Sequence, residues 1–108
     1  MCEFLSIFFN SNNKYVKLGT NFSNFGGNST YTNTGTAGTL EFNGAGGQSY
    51  NQGNAQLDLN FVLVNNTAGL GAGVNLATNM FVKATTGTLT LTTGTITTNA
   101  NRVEVNNT

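Results

Sequence analysis

Pairs of apolar residues separated by one other residue recur along the chain, and this pattern restricts its fold more than any other feature. The pairs are Leu40 with Phe42, Leu57 with Leu59, Val62 with Val64, Met80 with Val82, Leu89 with Leu91, and Val103 with Val105. Such alternation is typical of short β-strands with one buried face, and Gly or Asn residues bound the pairs as turn residues do. The chain is therefore expected to consist of short strands and tight turns.

The apolar positions also have a long period. Two series show it: Phe22, Phe42, Val62 and Val82 recur at a constant interval of 20 with Val103 following after 21, and Leu57, Leu76 and Ile96 recur at intervals of 19 and 20. A period near 20 with short strands is typical of a β-solenoid, in which each coil stacks on the next and equivalent residues form columns. A β-sandwich does not require equivalent residues one long period apart.

The composition favours the same fold. Asn, Thr and Gly fill 51 of the 108 positions. These residues are weak helix formers, whereas Thr suits strands and Asn and Gly suit turns. Four residues are basic and four acidic, so the chain has no net charge with which to attract nucleic acid or an acidic surface. The length allows one domain or a piece of a longer array.

We therefore predict an all-β parallel solenoid with about 20 residues per coil over residues 18–108. Residues 1–17 are predicted to be an N-terminal cap or leader-like segment. Asn at coil corners is expected to tolerate left-handed backbone and to stack its amides, with Thr facing solvent. The predicted core consists of Leu40, Phe42, Leu59, Val62, Val64, Leu76, Met80, Val82, Leu89, Leu91, Ile96, Val103 and Val105.

The N-terminal segment contains the longest apolar run, "FLSIFF" from Phe4 to Phe9. It follows Glu3 and has neither a basic region before it nor a small-residue cleavage site after it, which makes it a poor signal peptide. No run reaches the roughly 18 apolar residues of a membrane span. We expect this run to be an end cap, an edge strand or the remnant of a longer parent chain. Cys2 is the only cysteine, so neither an intrachain disulfide nor a cysteine metal site is expected.

Residues suited to catalysis are scarce. The absence of His excludes Ser/His and Cys/His catalytic arrangements. In a 20-residue frame Lys83 lies one coil below Glu104, and we interpret the two as a surface ion pair. The glycine-rich stretch "GAGGQSYNQG" lacks the Lys-Ser/Thr ending of a phosphate-binding loop. We expect a protein that is not an enzyme and that needs no cofactor or metal.

From Gly38 onward the chain resembles the repeat regions of large secreted adhesin-like proteins of Bacteroidetes, which typically end in a type IX secretion sorting domain. The matching segments are Gly38–Gly44, Val62–Asn66, Val74–Val82 and Gly87–Ile96, and "NSTYTNTG" at Asn28–Gly35 resembles a stretch that often precedes them. The resemblance covers roughly residues 18–108. It implies a right-handed parallel β-helix, a cell-surface or extracellular location, and a stalk or adhesive role.

These observations lead to a functional hypothesis. The chain has no recognisable leader or sorting domain and ends in mid-coil on "VEVNNT", so we interpret it as a fragment of a larger array. We expect a non-enzymatic structural or adhesive segment of a bacterial surface or secreted protein, with neighbouring repeats or domains of the same or a like chain as partners. A carbohydrate-binding module that uses exposed aromatics to bind surface glycans is the alternative.

Ice binding is a less favoured hypothesis, raised by "GTLTLTTGTITTN". Thr88, Thr90 and Thr92 point outward if the leucines between them point inward. A flat ice-binding array needs the same residues on successive coils, and the positions one predicted period earlier are Ala68, Leu70 and Ala72. We therefore interpret the threonines as the solvent face of a coil.

Three large apolar residues form the candidate interaction surface. If Val62 and Val82 point inward, then Phe61, Leu63 and Phe81 point outward. The 20-residue frame places the two phenylalanines in one column within stacking range, with Glu41 above and Arg102 below. Three explanations stay open: the N-terminal segment covers them, another chain or domain contacts them, or they stack on a sugar.

Overall fold

The structure, a computed structural model, describes residues 7–10, 14–24, 29–32, 38–69, 72–83 and 87–105, with the backbone alone in 7–10 and 29–32. These residues form thirteen strands and no helix. In chain order the strands are β1 (Ile7–Asn10), β2 (Tyr15–Leu18), β3 (Phe22–Ser23), β4 (Ser29–Thr32), β5 (Thr39–Phe42), β6 (Gln48–Asn51), β7 (Asp58–Leu59), β8 (Phe61–Asn65), β9 (Val74–Leu76), β10 (Met80–Val82), β11 (Thr88–Thr93), β12 (Ile96–Thr97) and β13 (Val103–Val105).

Successive coils contribute strands to the same sheets. The first sheet has the order β11-β8-β5-β2, the second β12-β9-β6-β3 and the third β13-β10-β7, while β1 pairs with β4. Every pairing in the described residues is parallel. Parallel strands cannot be joined by tight hairpins, so the chain runs through the other sheets before it returns. The result is a parallel β-solenoid, consistent with right-handed coiling, and the predicted fold class is confirmed.

The register between coils corrects the predicted columns with their period of 20. Thr39 pairs with Phe61, an interval of 22, and Phe22 pairs with Tyr50, an interval of 28. The predicted period of 20 is shorter than either interval. Residues 20 apart in the sequence therefore do not lie above one another in neighbouring coils. Val62 accordingly pairs with Leu40 and Leu89, and not with Phe42 or Val82.

The solenoid ladder also begins earlier than the predicted boundary at residue 18. Strand β2 starts at Tyr15 and pairs with β5 over its whole length. Residues 15–17 therefore belong to the solenoid and not to an N-terminal segment. Part of the "FLSIFF" run lies in β1, but its side chains, like residues 1–6 and 11–13, lie outside the described residues.

Most of the predicted core is confirmed. Eight predicted residues are at most 2 % exposed: Leu40, Phe42, Leu59, Val62, Val64, Leu76, Met80 and Val82. They are the inward residues of β5, β7, β8, β9 and β10, where alternation turns every second side chain toward the axis. Burial is deepest in the middle coils because a further coil lies on either side.

The prediction was wrong for the last described coil, which contains β11, β12 and β13 and which we call the end coil. Leu91 is 55 % exposed and Val105 47 % exposed. Leu89, Ile96 and Val103 are only half-buried. These side chains continue inward columns, since Leu91 pairs with Val64 and Val105 with Val82. They are exposed because, among the described residues, a coil packs against them on one side only.

The core also contains Tyr50, which the period did not predict, and Phe22, which begins the predicted series but was not among the predicted core residues. The rings of Phe22 and Tyr50, paired between coils, stack with centroids 5.2 Å apart and planes 9° apart. Phe42 meets Tyr50 edge to face at 6.3 Å. Both arrangements are favoured for aromatic pairs. The ring contacts link β3 and β6 of the second sheet with each other and with β5 of the first sheet.

A buried polar cluster fills the corner between the first and second sheets. Gln48, 2 % exposed, donates from Nε2 to the carbonyl oxygens of Leu18 at 2.8 Å and Thr20 at 2.6 Å. Its Oε1 accepts from the backbone N–H of Gly44 at 2.9 Å and from Asn66 Nδ2 at 3.0 Å. The side chain thereby bonds the Thr20 carbonyl oxygen and the Gly44 N–H at the turn, and adds a second bond to the Leu18 carbonyl oxygen, which also accepts from the Asn43 N–H.

Other Asn side chains bridge coils at corners in the same way. Asn101 Nδ2 donates to the Leu76 carbonyl oxygen at 2.9 Å, and Asn21 Oδ1 accepts from the Ser49 N–H at 2.9 Å. Asn99 has a φ of 56°, which confirms that a corner Asn takes left-handed backbone. The expected stacking of side-chain amides is replaced, at these corners, by bonds to backbone groups.

The polar corner generates a stability prediction. Gln48→Leu should lower the free energy of unfolding by about 3 kcal/mol, because the Thr20 carbonyl oxygen, the Gly44 N–H and the Asn66 amide lose a hydrogen-bond partner. Urea denaturation followed by circular dichroism measures this loss. The matched control is Gln56→Leu at an exposed position, which should change stability by less than about 0.5 kcal/mol. Equal effects at the two positions would contradict a structural role for the corner.

Candidate functional site

The outward side chains of the first sheet form two columns, which we call the outer face. One column is Tyr15, Thr39, Phe61 and Thr88, and the other is Lys17, Glu41, Leu63 and Thr90. Their neighbours in each strand point inward, so alternation alone directs these side chains outward. The outer face thus passes from an aromatic and charged end at β2 to a threonine end at β11.

Glu41 is the most unusual residue of the outer face, because it is only 4 % exposed. Lys17 Nζ lies 3.8 Å from its Oε2, and Asn65 Nδ2 donates to its Oε1 over 3.4 Å. Among the described residues Oε2 accepts no hydrogen bond. A buried carboxylate needs compensation, so Lys17 and Asn65 position this side chain against the sheet.

Tyr15 completes this end of the outer face. Its side chain is 54 % exposed, and Lys17 Nζ lies 5.9 Å from the ring centroid. The pKa of the Tyr15 hydroxyl is raised above its ordinary value. The largest cause is the hydrogen bond from the protonated phenol to the Glu41 carboxylate, followed by burial of the hydroxyl and then by charge repulsion from Glu41. An exposed ring therefore lies beside a cation, a carboxylate and an amide.

This cluster was not predicted from the sequence. The 20-residue frame placed Glu41 in a column with Phe61, whereas the register places it with Leu63. The strands "YVKL" and "TLEF" have the same order of outward and inward residues. Aligning strands by this pattern, with no fixed period, would have brought Lys17 next to Glu41.

The predicted interaction surface is divided between two sheets. Phe61 and Leu63 lie half-buried on β8 in the first sheet, whereas Phe81 lies on β10 in the third. Phe61 pairs with Thr39 and Thr88, and Phe81 pairs with Asp58 and Glu104. The prediction of one column with stacked rings was wrong, because the predicted period is shorter than a coil.

Phe81 is also buried rather than exposed, with 6 % of its surface accessible. Lys83 Nζ and Arg102 Cζ each lie 5.6 Å from its ring centroid. The aliphatic parts of such side chains cover apolar surface while their charges face the ring. The predicted proximity of Arg102 to Phe81 is therefore confirmed, although its predicted place in a column with Phe61 is not.

The predicted pair of Lys83 and Glu104 is confirmed as an ion pair of the third sheet. Lys83 Nζ donates to Glu104 Oε1 at 3.0 Å, and Arg102 Nε donates to Oε2 at 3.3 Å. The hydrogen bonds from Lys83 and then Arg102 lower the pKa of Glu104 below its ordinary value of 4.5. Both carboxylate oxygens are thus occupied by cations of the same sheet.

The threonine end is a solvent face, as predicted. Thr88, Thr90 and Thr92 are exposed. The residues one coil below Thr88 and Thr90 are Phe61 and Leu63, and not the Ala68 and Leu70 of the 20-residue frame. The row of outward threonines does not extend to this neighbouring coil. The two coils therefore lack the repeated threonine array that ice binding requires.

A shallow hollow of about 250 Å³ opens beside the end coil. Its lining is uncharged and consists of Asn66, Thr67, Gly69, Thr93, Gly94 and Thr95. Gly94 shapes it with a φ of 103°, and a Cβ at this position would lie 2.6 Å from the Asn66 carbonyl oxygen. Glycine is required there because an L side chain fits neither the backbone angle nor the space.

Metal ligands and membrane-spanning helices also bear on the kind of site. Among the described residues, no group of three or more His, Cys, Asp or Glu side chains is placed to hold a metal ion. Within the same residues, no helix is long and apolar enough to cross a lipid bilayer.

Comparison with known proteins gave no matching family model, curated protein or solved structure.

The environments of the two phenylalanines predict different mutational effects. Phe81→Thr should lower the free energy of unfolding by about 3 kcal/mol, because a buried ring and its contacts with Lys83 and Arg102 are lost. Phe61→Thr, the matched control on a half-buried outward position, should cost about 1 kcal/mol or less. Urea denaturation of both variants provides the comparison. A larger loss for Phe61 would show that the burial assigned to the two rings is wrong.

The ion pairs of Glu104 predict a dependence of stability on pH. Since the folded pKa of Glu104 lies below its unfolded value, its contribution is present above about pH 4.5 and is lost as the pH falls through the folded pKa. Glu104→Gln should therefore reduce the fall in denaturation midpoint between about pH 6 and pH 3. Asp58→Asn, which changes another carboxylate of the third sheet, is the control. An unchanged pH profile in Glu104→Gln would contradict the assignment.

Proposed function

We propose that this chain is a non-enzymatic structural and adhesive β-solenoid segment of a bacterial cell-surface or secreted protein. The observation that carries the proposal is the continuous stacking of coils, in which inward columns such as Leu40 with Val62 are 1 % exposed. A stack of this kind transmits load along its axis through nearest neighbours, which suits a stalk. The resemblance to adhesin-like repeats supplies the surface context.

The links between coils support a stiff spacer. Backbone ladders join the strands, and side chains such as Gln48 and Asn101 join the corners between them. Successive coils are therefore linked at the corners as well as within the sheets. The few charges of the third sheet neutralise one another, so the outside remains largely neutral and hydrated.

The proposed partners are neighbouring repeats or domains of the same or a like chain. Exposed threonines at β11 and the uncharged hollow beside it offer hydrogen-bonding groups without a strong field. Nucleic acid does not fit this surface, because its phosphates require clustered basic residues. The proposed location is extracellular or on the cell surface.

Carbohydrate binding is the second candidate, and Tyr15 is the residue that favours it. Its exposed ring offers a stacking surface, and the exposed ammonium group of Lys17 beside it offers hydrogen-bond donors. The aromatics first predicted for this role are less suitable, since Phe81 is buried and Phe61 is half-buried.

Location is tested on intact cells of the bacterium that encodes the chain. An antibody raised against the purified chain should label intact cells or the culture medium, and permeabilisation should add little signal. Labelling that appears only after permeabilisation would refute a surface or secreted protein. The flanking gene sequence gives an independent measurement, since a leader upstream and a sorting domain downstream are expected.

A glycan array separates the two candidate functions. A structural segment should bind no glycan above background, whereas a carbohydrate-binding module should bind a defined set. Tyr15→Ala and Phe61→Ala serve as a matched pair: glycan binding through the exposed ring would be abolished by the first change and retained after the second. Binding that both variants retain would exclude Tyr15 as the sugar platform.

A further inference from the structure

Asn43 and Gly44 form a chemically reactive pair just after β5. Asn43 is exposed, and it is the only asparagine in the chain that is followed by glycine. In such a pair the backbone nitrogen of the glycine can attack the side-chain amide carbon of the asparagine, because no Cβ shields that nitrogen. This attack begins deamidation, a reaction that needs no enzyme, metal or cofactor.

The reaction balances with water as its sole co-reactant. A bond forms between the Gly44 nitrogen and Asn43 Cγ, the amide C–N bond of Asn43 breaks, and ammonia leaves with the proton of the Gly44 N–H. The product of this step is a succinimide ring. Water then opens the ring at either carbonyl and leaves aspartate or isoaspartate at position 43. In isoaspartate the main chain runs through the former side-chain carbon and is one methylene longer.

The fold withholds the attacking nitrogen from this reaction. The Gly44 N–H donates to Gln48 Oε1 at 2.9 Å, and both residues are buried. Attack requires the nitrogen to lose its proton to water or hydroxide, so the N–H must first become accessible. Gln48 is itself fixed, because its Nε2 donates to the carbonyl oxygens of Leu18 and Thr20.

The peptide groups on either side of the reactive bond are fixed between coils. The Asn43 N–H donates to the Leu18 carbonyl oxygen at 2.9 Å, and the Gly44 carbonyl oxygen accepts from the Thr67 N–H at 3.0 Å. Ring closure rotates the backbone between Asn43 and Gly44, and this rotation is incompatible with both bonds. The reaction therefore requires local opening of the corner.

Packing at the corner requires the glycine of this pair. A Cβ at position 44 would lie 2.8 Å from the Gly19 carbonyl oxygen and 2.9 Å from Gln48 Cδ. A side chain there would displace the contacts that bury Gln48. The corner thus depends on the same glycine that makes Asn43 reactive.

We propose that Asn43 is a deamidation site that Gln48 keeps latent while the coils are stacked, and that opening of the corner exposes it. Isoaspartate at this position lengthens the chain between β5 and the corner, so the bonds of Gly44 to Gln48 and Thr67 no longer fit their partners. Modification thereby converts a transient opening into a lasting defect of the stack. The inference goes beyond the proposed function and depends on neither its location nor its partners.

The first measurement compares deamidation of the folded and the unfolded chain. The purified full chain is incubated in mildly alkaline buffer with and without guanidinium chloride, and fragmentation mass spectrometry locates the mass gain at position 43. The rate should be at least about 100-fold lower in the folded chain, because only molecules with an open corner react. Asn43→Gln should lack the product under both conditions, since a longer side chain closes its ring far more slowly.

Hydrogen exchange measures the same opening in the unmodified chain. The Gly44 amide should exchange at least about 100-fold more slowly than the amide of Gly46, an exposed glycine of the same turn. The protection of the Gly44 amide and the suppression of deamidation should agree, because one opening controls both. A Gly44 amide that exchanges as fast as that of Gly46 would overturn the proposal.

A pair of variants separates opening of the corner from unfolding of the whole chain. Gln48→Leu and Phe81→Thr are expected to destabilise the chain by similar amounts, but only the first removes the acceptor of the Gly44 N–H. Gln48→Leu should deamidate at least about 10-fold faster than the wild-type chain, and Phe81→Thr less than about 3-fold faster. Equal acceleration would place the reaction in the unfolded chain and refute the role of Gln48.

Refolding tests the consequence of the modification. After prolonged incubation in guanidinium chloride and dilution, the wild-type chain should regain less β-structure by circular dichroism, in proportion to the isoaspartate formed. Asn43→Gln, treated in the same way, should regain its full signal. Full recovery of the modified wild-type chain would refute the lasting defect, and deamidation as fast in the folded chain as in denaturant would overturn the whole proposal.

Discussion

Parallel pairing between successive coils is the interaction on which the rest of this structure depends. Each inward residue is buried by its counterparts in the coils above and below, and the pairing of β5 with β8 shows this for Leu40 and Val62. The core is therefore a set of columns along an axis, and not a layer between two sheets. A coil without a neighbour loses burial on one side, which explains why Leu91 and Val105 are exposed although they occupy inward positions. Burial in the middle coils and exposure in the last described coil are thus two consequences of the same stacking.

The turns between sheets impose the second constraint, since they remove backbone groups from the ladders. This chain satisfies those groups with amide side chains, as Gln48 does for the Thr20 carbonyl oxygen and the Gly44 N–H. Its high Asn content therefore has a structural cause, because short amides both tolerate turn conformations and bridge coils. The same side chains carry no charge, so the outer surface remains neutral.

The charged residues are few and are used locally. On the first sheet Lys17 and Asn65 compensate the buried carboxylate of Glu41, and on the third sheet Lys83 and Arg102 share the carboxylate of Glu104. In both places an aromatic ring lies against the cation, Tyr15 in one and Phe81 in the other. These clusters fix the outward side chains against the sheets. They differ in exposure, because the Tyr15 ring is open to solvent and the Phe81 ring is covered.

The sequence by itself determined the strands and the all-β class, because apolar alternation and Asn and Gly turns are local signals that survive in any register. Parallel stacking of coils was predicted from a long period, and the structure confirms the stacking but not the value of 20. Eight inward residues of the middle coils followed from the alternation, and the Lys83–Glu104 pair followed from the assumed period because its separation of 21 is close to the interval of 23 that joins β10 and β13. Only the tertiary structure decided which residues meet, since the interval between paired strands, 22 from β5 to β8 but 28 from β3 to β6, is set by turns that carry no apolar pattern. A fixed period of 20 therefore separated Lys17 from Glu41 and wrongly joined Phe61 to Phe81. The exposure of the end coil likewise could not be predicted from the local sequence pattern, because burial in a solenoid depends on the neighbouring coil and not on the residue itself.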